Sequence, residues 1–190
     1  FIEDDEGLYF ALNKGIAKWN GKYIRILHSD DRFYKNNVLE KLHKEIISNN
    51  FPSIIISNII YVNEKGAILR TWKSDLPTLS KIKRGWMAPH TGLVLKREVA
   101  NSLGPYDTKF NISADYAYEL RLFKIYLKDI IASNITLIQM KIGGISNRNM
   151  KFIMRKTFED FKVMRRNQIN PFIGIFFKNI NKLNQFWIKL

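Results

Sequence analysis

Two adjacent carboxylates offer the clearest chemistry in this sequence. Gly21 to Tyr34 reads GKYIRILHSDDRFY, an alternating apolar run (KYIRIL, Lys22 to Leu27) that delivers Asp30 and Asp31 just past its C-terminal end. In open α/β sheets, ligands gather beyond the carboxyl ends of the strands. Two hard oxygen ligands there suit Mg²⁺ or Mn²⁺, which take one or two carboxylates and complete their shells with substrate phosphates. A cation so held offsets charge on a diphosphate leaving group. Ser29-Asp30-Asp31 also reads as a plain polar turn with capping acids, and on these residues alone both readings stand.

Other chemistries fall away. The chain has 190 residues and no cysteine, which excludes disulfides, thiolate metal sites and cysteine nucleophiles. Glu3, Asp4, Asp5 and Glu6 lack EF-hand spacing and read as a charged chain end. Gly143-Gly144 lacks the flanking pattern of a phosphate loop and reads as a tight turn. No apolar run reaches the roughly 18 residues that span a bilayer. The chain starts at Phe1 with acids rather than a basic and then apolar leader, so no secretory signal is visible. The expectation is a cytoplasmic protein whose numbering begins inside a longer one.

The elements that must position the carboxylates follow from periodicity. Hydrophobic residues are 46% and charged residues 25% of the chain, ordinary globular usage for a domain with a core. Leu8, Ala11, Leu12, Gly15 and Ile16 predict a helix over Gly7 to Trp19, stopped by Asn20-Gly21. Helices are predicted from Asn37 through Ile47, over Arg97 to Leu103 before Gly104-Pro105, and from Asp115 to Tyr126. Strands are predicted over Lys22 to Leu27, Ser53 to Val62, Ala67 to Trp72 and Thr91 to Lys96, with one or two from Asp129 to Met140. Alternating strands and helices mean an α/β layered domain, and the hairpin between Ser53 and Trp72 makes its sheet mixed. Lys73 to Pro89 is long for a loop and reads as mobile or functional. Two helices, about Asn149 to Arg166 and Pro171 to Leu190, close the chain.

The segment FIEDDEGLYFALNKGI, followed by GKYIRILHSDD, resembles the middle of a family 2 glycosyltransferase of GT-A fold. That family carries an acidic segment, then Gly-Ile-Tyr-Asp-Ala-Met-Asn-Lys-Gly, then Gly-x-Tyr-Ile and a strand ending in Asn-Ser-Asp-Asp. Glu3, Asp5, Gly7, Tyr9, Ala11, Asn13, Lys14 and Gly15 stand in that register, with Phe10 where Asp is usual and His28 where Asn is usual. Pro89-His90-Thr91-Gly92 resembles the family's His-centred strand, and Leu103 to Asp107 with Phe110 resembles its Leu-Gly-Gly-Phe-Asp turn. Ala114-Asp115-Tyr116 with Leu120-Arg121 is similar to its Ala-Asp-Tyr helix start, and Gly143-Gly144-Ile145-Ser146 to its Gly-Gly-Ile-Ser segment. The resemblance runs in order from Phe1 to about Asn147. It implies a partial GT-A domain over 1–147, N-terminally truncated because nothing corresponds to the family's nucleotide-binding first segment. A basic, aromatic helical extension over 148–190 follows.

The resemblance also implies roles. Asp31 would be the metal ligand, and Asp30 would contact the donor ribose or the metal. Asn13 and Lys14 would line the donor site, although a solvated helix lysine explains Lys14 as well. Asp115 would be the general base, taking the proton of an acceptor hydroxyl as it attacks the anomeric carbon; a simple helix N-cap is its other reading. His90 would touch the acceptor or the departing diphosphate, or would be a structural histidine. The implied activity is metal-dependent inverting transfer from a nucleotide-sugar, a UDP-sugar in the first instance, to a saccharide or lipid-linked acceptor in bacterial surface polysaccharide assembly. An inactive truncated remnant of such an enzyme, or a basic membrane- or nucleic-acid-binding module, is the alternative.

Charge adds a partner. The net charge is +14, and Lys141 to Leu190 holds eleven Lys or Arg against Glu159 and Asp160. Phe172, Phe176, Ile180, Leu183, Trp187 and Leu190 fall on one helical stripe, with Lys178, Lys182 and Lys189 on another face. That pattern suits the inner face of an anionic membrane, and it equally suits a helix packed on its own domain. Nucleic acid ranks third, because no recognised motif accompanies the basic residues.

Overall fold

A computed structural model describes residues 4–141 and 150–186. The Gly143-Gly144 segment, Glu3, Trp187, Lys189 and Leu190 lie outside the described residues.

One long strand organises the molecule. β3 (Ile54–Val62) reads IIISNIIYV, and an apolar run of this kind marks a strand covered on both faces. Ile54 and Ile56 face one layer and Ile55 and Ile59 the other, as strand alternation requires. β6 (Ile130–Lys141) runs parallel to β3 along one edge, from Ile54↔Ile130 to Val62↔Lys141. The other edge is shared: β5 (Leu93–Lys96) pairs antiparallel with the first half, and β4 (Ile68–Trp72) with the second. The mixed sheet of six strands is therefore as expected.

Two short strands set the course of the carboxylate segment. β1 (Tyr23–Ile24) pairs outside β5, whereas β2 (Arg32–Phe33) pairs outside β6, at the opposite edge. The chain between them, 25–31, must cross the sheet. Arg32 pairs with Gln139, which pairs in turn with Ile60, so Asp31 arrives at the C-terminal end of the parallel pair β3 and β6. The expected Lys22–Leu27 strand is thus cut to two residues, because Arg25 turns its Nη2 to the carbonyls of Ile26 (2.9 Å) and Thr91 (3.3 Å) as the chain departs.

Helices cover both faces. α2 (Val38–Ser48) buries Val38, Leu42 and Ile46 against one side. α1 (Leu8–Lys18), α4 (Arg97–Leu103), α5 (Ala114–Ile125) and α6 (Met150–Arg166) share the other core through Tyr9, Val99, Tyr116, Val163 and Met164. The expected loop Lys73 to Pro89 holds a short helix, α3 (Leu79–Lys83), started by the Thr78 hydroxyl accepting from Lys81 N.

The last two helices dock by charge. Glu159 of α6, 7% exposed, accepts the N–H groups of Asn111 (3.3 Å), Ile112 (2.8 Å) and Ser113 (3.0 Å) and so seats the start of α5. Asp160, next along, binds Lys156 (2.9 Å) and Lys178 (3.0 Å) of α7 (Pro171–Asn184). The Lys178 ammonium sits 3.6 Å from the Tyr116 ring centroid. This corrects the expected lysine face of the last helix: Lys178 points into the domain, and Phe172, Phe176 and Leu183 point out at 77%, 61% and 63% exposure. Gly174 of α7 lies against Gly85, whose φ of +74° and contact with the Gly174 carbonyl leave no room for a side chain.

Glu159→Ala leaves three backbone donors at the head of α5 without their acceptor. A loss of about 1–3 kcal/mol is expected, read as a lower urea midpoint with an unchanged slope.

Candidate active site

Asp31 sits where the crossing segment meets β2. It is 7% exposed, its N–H closes a turn onto His28 O at 3.1 Å, and its Oδ2 is buried without a hydrogen-bond partner. Burial, then the neighbouring Asp30 charge, pushes its carboxyl up to about 6, against a backbone hydrogen bond at His28 and the charge of Arg25. Asp30 itself is exposed. Among the described residues, no cluster of three or more acids or histidines forms a cation site. A magnesium-like ion does not need one: it is held by one or two carboxylates and finishes its shell with water and substrate phosphate. The bare Asp31 oxygen beside Asp30 fits that donor set.

Arg25 is the cation of the crossing segment, and sequence reasoning passed over it. Its guanidinium lies 4.7 Å from the Phe33 ring centroid, and Nε and Nη1 are buried without partners. Burial pulls its pKa down to about 10, with Asp31 acting in the opposite direction. A charge in an otherwise alternating apolar strand was the available signal.

α5 supplies the acids on the far side. Its N-cap is Ser113, so Asp115 is not the cap; it stands half-buried in the first turn, with Oδ1 accepting Tyr116 N at 2.7 Å. The two acid groups share a region. The charges of His90, Asp30, Asp115 and Arg25 all act on His28, whose pKa is lowered first by burial, and both Asp31 and Asp115 act on Tyr61.

His90 begins the 3-10 turn (His90–Gly92) that leads into β5. Gly92 is pressed so close to Ser57 O that any Cβ there would collide, which fixes the turn on β3. The His90 side chain is 12% exposed and both ring nitrogens face partners: Nδ1 lies 3.6 Å from Glu119 Oε1, and Nε2 lies 3.3 Å from the Tyr106 hydroxyl. The expected direct contact with acceptor or diphosphate would need one of these to yield. Glu119, a second acid on α5, was also missed; the lone carboxylate among Tyr and Leu in AYELRLF was its signal.

Asn13 and Lys14 do other work in this structure. Asn13 clamps Tyr106, donating Nδ2–H to its carbonyl (3.0 Å) and accepting its N–H at Oδ1 (2.7 Å). Lys14 pairs with Asp5 at 2.8 Å and reaches Asp4 O at 3.4 Å. Ile16, Ile24, Ile26, Leu93 and Leu95 line an apolar pocket between Arg25 and His90, closed by Tyr106 and Tyr118.

Comparison with known proteins gives this geometry a family. The model described as glycosyl transferase family 2 matches residues 2–106, from α1 through α4, and stops short of Asp115. A PGL/p-HBAD biosynthesis glycosyltransferase of Mycobacterium bovis (strain BCG / Pasteur) is 23% identical over 181 residues, 91% of this chain and 62% of that protein. An uncharacterized glycosyltransferase of Methanocaldococcus jannaschii is 30% identical over 138 residues, covering 69% of this chain and 47% of its own. The chain thus spans about half to three-fifths of the relatives it matches. The crystal structure of S. aureus TarS 1-349 superposes with TM-score 0.56 at 11% identity, covering 96% of this chain and 52% of that one. The same fragment in complex with UDP-GlcNAc gives TM-score 0.56 at 11% identity, over 85% of this chain and 46% of that one. At that identity the likeness establishes the fold, a GT-A-like mixed sheet flanked by helices.

The burial of Asp31 has a sign. Its folded value lies above the ordinary 3.8, so between about pH 4 and 6 the native state keeps a proton that the unfolded chain has lost. Stability from this group is present at low pH and lost as pH rises through that window. Asp31→Asn should therefore raise stability by about 1–3 kcal/mol at pH 8 and by much less at pH 4. Urea unfolding of both proteins at the two pH values measures this.

Proposed function

The chain belongs to glycosyl transferase family 2, and from that premise we propose that it transfers a sugar, with inversion, from a nucleotide-sugar donor to a saccharide or lipid-linked acceptor. A UDP-sugar is the first donor to try, and bacterial surface polysaccharide assembly is the proposed setting. The observation that carries this reading is the buried, unpartnered oxygen of Asp31 in the same region as the helix-borne Asp115.

Asp31, with Asp30, would hold Mg²⁺ or Mn²⁺. Bound there, the cation offsets the negative charge that grows on the departing nucleoside diphosphate. The free Nε and Nη1 of Arg25 suit a phosphate oxygen of the same group. Asp115 accepts the proton of the acceptor hydroxyl as that oxygen bonds to the anomeric carbon from the face opposite the breaking sugar–phosphate bond. The bond forms on one side as it breaks on the other, so the configuration inverts. Asn13 serves by fixing Tyr106 rather than by touching the donor.

The second helix pair supports a peripheral place on an anionic membrane, beside a lipid-linked acceptor. Met154 and Phe158 of α6 (67% and 59% exposed) continue the outward stripe of α7, joined to it where Phe161 meets Phe172 edge to face. Residues 150–186 carry eight Lys or Arg against Glu159 and Asp160. Exposed apolar side chains on two helices with this cationic excess suit the headgroup boundary. No helix among the described residues is long and apolar enough to cross a bilayer.

Three measurements test these readings on the full-length protein. Calorimetric titration with UDP-sugar and Mn²⁺ should give heat that vanishes in Asp31→Ala, and Asp115→Asn should cut kcat by about 100-fold or more with donor binding kept; near-normal turnover would rule out the base. Co-sedimentation with phosphatidylglycerol vesicles should be lost in Phe172→Glu/Phe176→Glu with donor binding intact, and equal sedimentation of both proteins would sink the membrane reading.

A further inference from the structure

Glu119 has no part in the transfer described above, yet it is among the most enclosed charged groups in the protein, at 1% exposure. It lies four residues after Asp115 on α5, so both carboxylates occupy one helix face. Its Oε2 accepts the Ala88 N–H at 2.7 Å. Its Oε1 makes no hydrogen bond and lies 3.6 Å from His90 Nδ1. A buried carboxylate left without a counter-charge is costly, and the cation facing this one is the His90 ring.

The other side of that ring is equally fixed. Tyr106 meets it edge-on at 5.7 Å between centroids and is itself stacked between Tyr9 (5.7 Å) and Tyr118 (4.3 Å). Asn13 holds the Tyr106 backbone by two hydrogen bonds. The imidazole is thus wedged between a carboxylate and a phenol that cannot easily shift.

We propose that Glu119 is a positioning residue: it keeps His90 as a buried imidazolium, locked between Glu119 and Tyr106, so that Asp115 works opposite a fixed positive charge. This rests on Asp115 as the base. A cation held there adds positive potential where diphosphate charge develops. The groups facing His90 are Asp115 and Glu119 from α5, His28 from the crossing segment, Tyr106 from the turn before α5, and Arg25 across the apolar pocket. Burial alone would lower the His90 pKa; the adjacent Glu119 carboxylate and the charge of Asp115 outweigh it and raise the value. Burial in turn pushes Glu119 up to about 7 against the pull of His90, so the two groups titrate as a pair.

Imidazole proton titration by NMR tests this directly, because the chain has three histidines and His90→Gln assigns the signal. In the wild-type protein, His90 should titrate above the ordinary 6.5. Glu119→Gln should move that midpoint down and lower kcat about tenfold with donor KM within about twofold, and Glu119→Asp should restore part of both. A wild-type midpoint at or below 6.5 overturns the proposal even if Glu119→Gln fails to fold, as does an unmoved midpoint in a folded Glu119→Gln. If Asp115→Asn keeps full turnover, the base and its positioning fall together. An unmoved His90 midpoint with Asp115→Asn inactive overturns the positioning alone.

Discussion

A carboxylate kept out of water with one oxygen unpaired is unstable unless something else supplies the missing positive charge. The fold places Asp31 in that condition, beside an arginine that is half-buried and has two donors unused. The two do not neutralise each other by a direct hydrogen bond. Their unpaired atoms would suit the metal-bound diphosphate proposed above, with a cation at the carboxylate and anionic oxygens at the guanidinium. The burial that makes Asp31 a strained residue of the free protein is also what would make its ionised form a strong ligand.

The sheet creates that condition by its topology. β1 and β2 lie at opposite edges, so the residues between them cannot follow a strand and must pass across the end of the parallel pair. Backbone polar groups on such a path need partners, and the Arg25 side chain supplies one to Ile26 O while tying the path to Thr91 O of the 3-10 turn. On the other side of the cleft, α5 is held from outside. Glu159 takes the N–H groups before its first turn, and Asp160 with Lys178 braces Tyr116. The first turn of α5 carries Asp115, and its second carries Glu119. The last two helices therefore hold α5 in place, while their outward apolar side chains stay exposed.

Much of this was legible in the sequence. The β-branched run of β3 marked a strand, and the apolar spacing after Asn37 marked a helix, although Leu39 and Ile47 of that stripe are 48% and 51% exposed rather than inward. Arg97 to Leu103 ended at Gly104 as its turn chemistry requires, with φ of +68°. The Asp-Asp pair pointed to a segment in which Asp31 proves buried with one oxygen unpartnered, and the ordered set of family-like segments pointed to the family whose model matches. Local residue types and periods carry such information because burial of one face is decided within a few residues.

Pairings between distant residues were not legible. Lys178 looked like part of a lipid-facing lysine stripe, but Asp160 and the Tyr116 ring draw it inward. Asn13 looked like a donor contact, but it is occupied by a backbone 93 residues away. Glu159 entered only as a charge of the basic tail, and Arg25 and Glu119 drew no notice, because Ile112 and Ser113, Thr91, and Ala88, which they bind, lie far away in the chain. Sequence by itself determined the elements, the mixed sheet and the acids that could do chemistry. Tertiary structure alone decided which of those charges are buried, which have partners and which are left open, because desolvation and pairing depend on neighbours that only folding brings within reach.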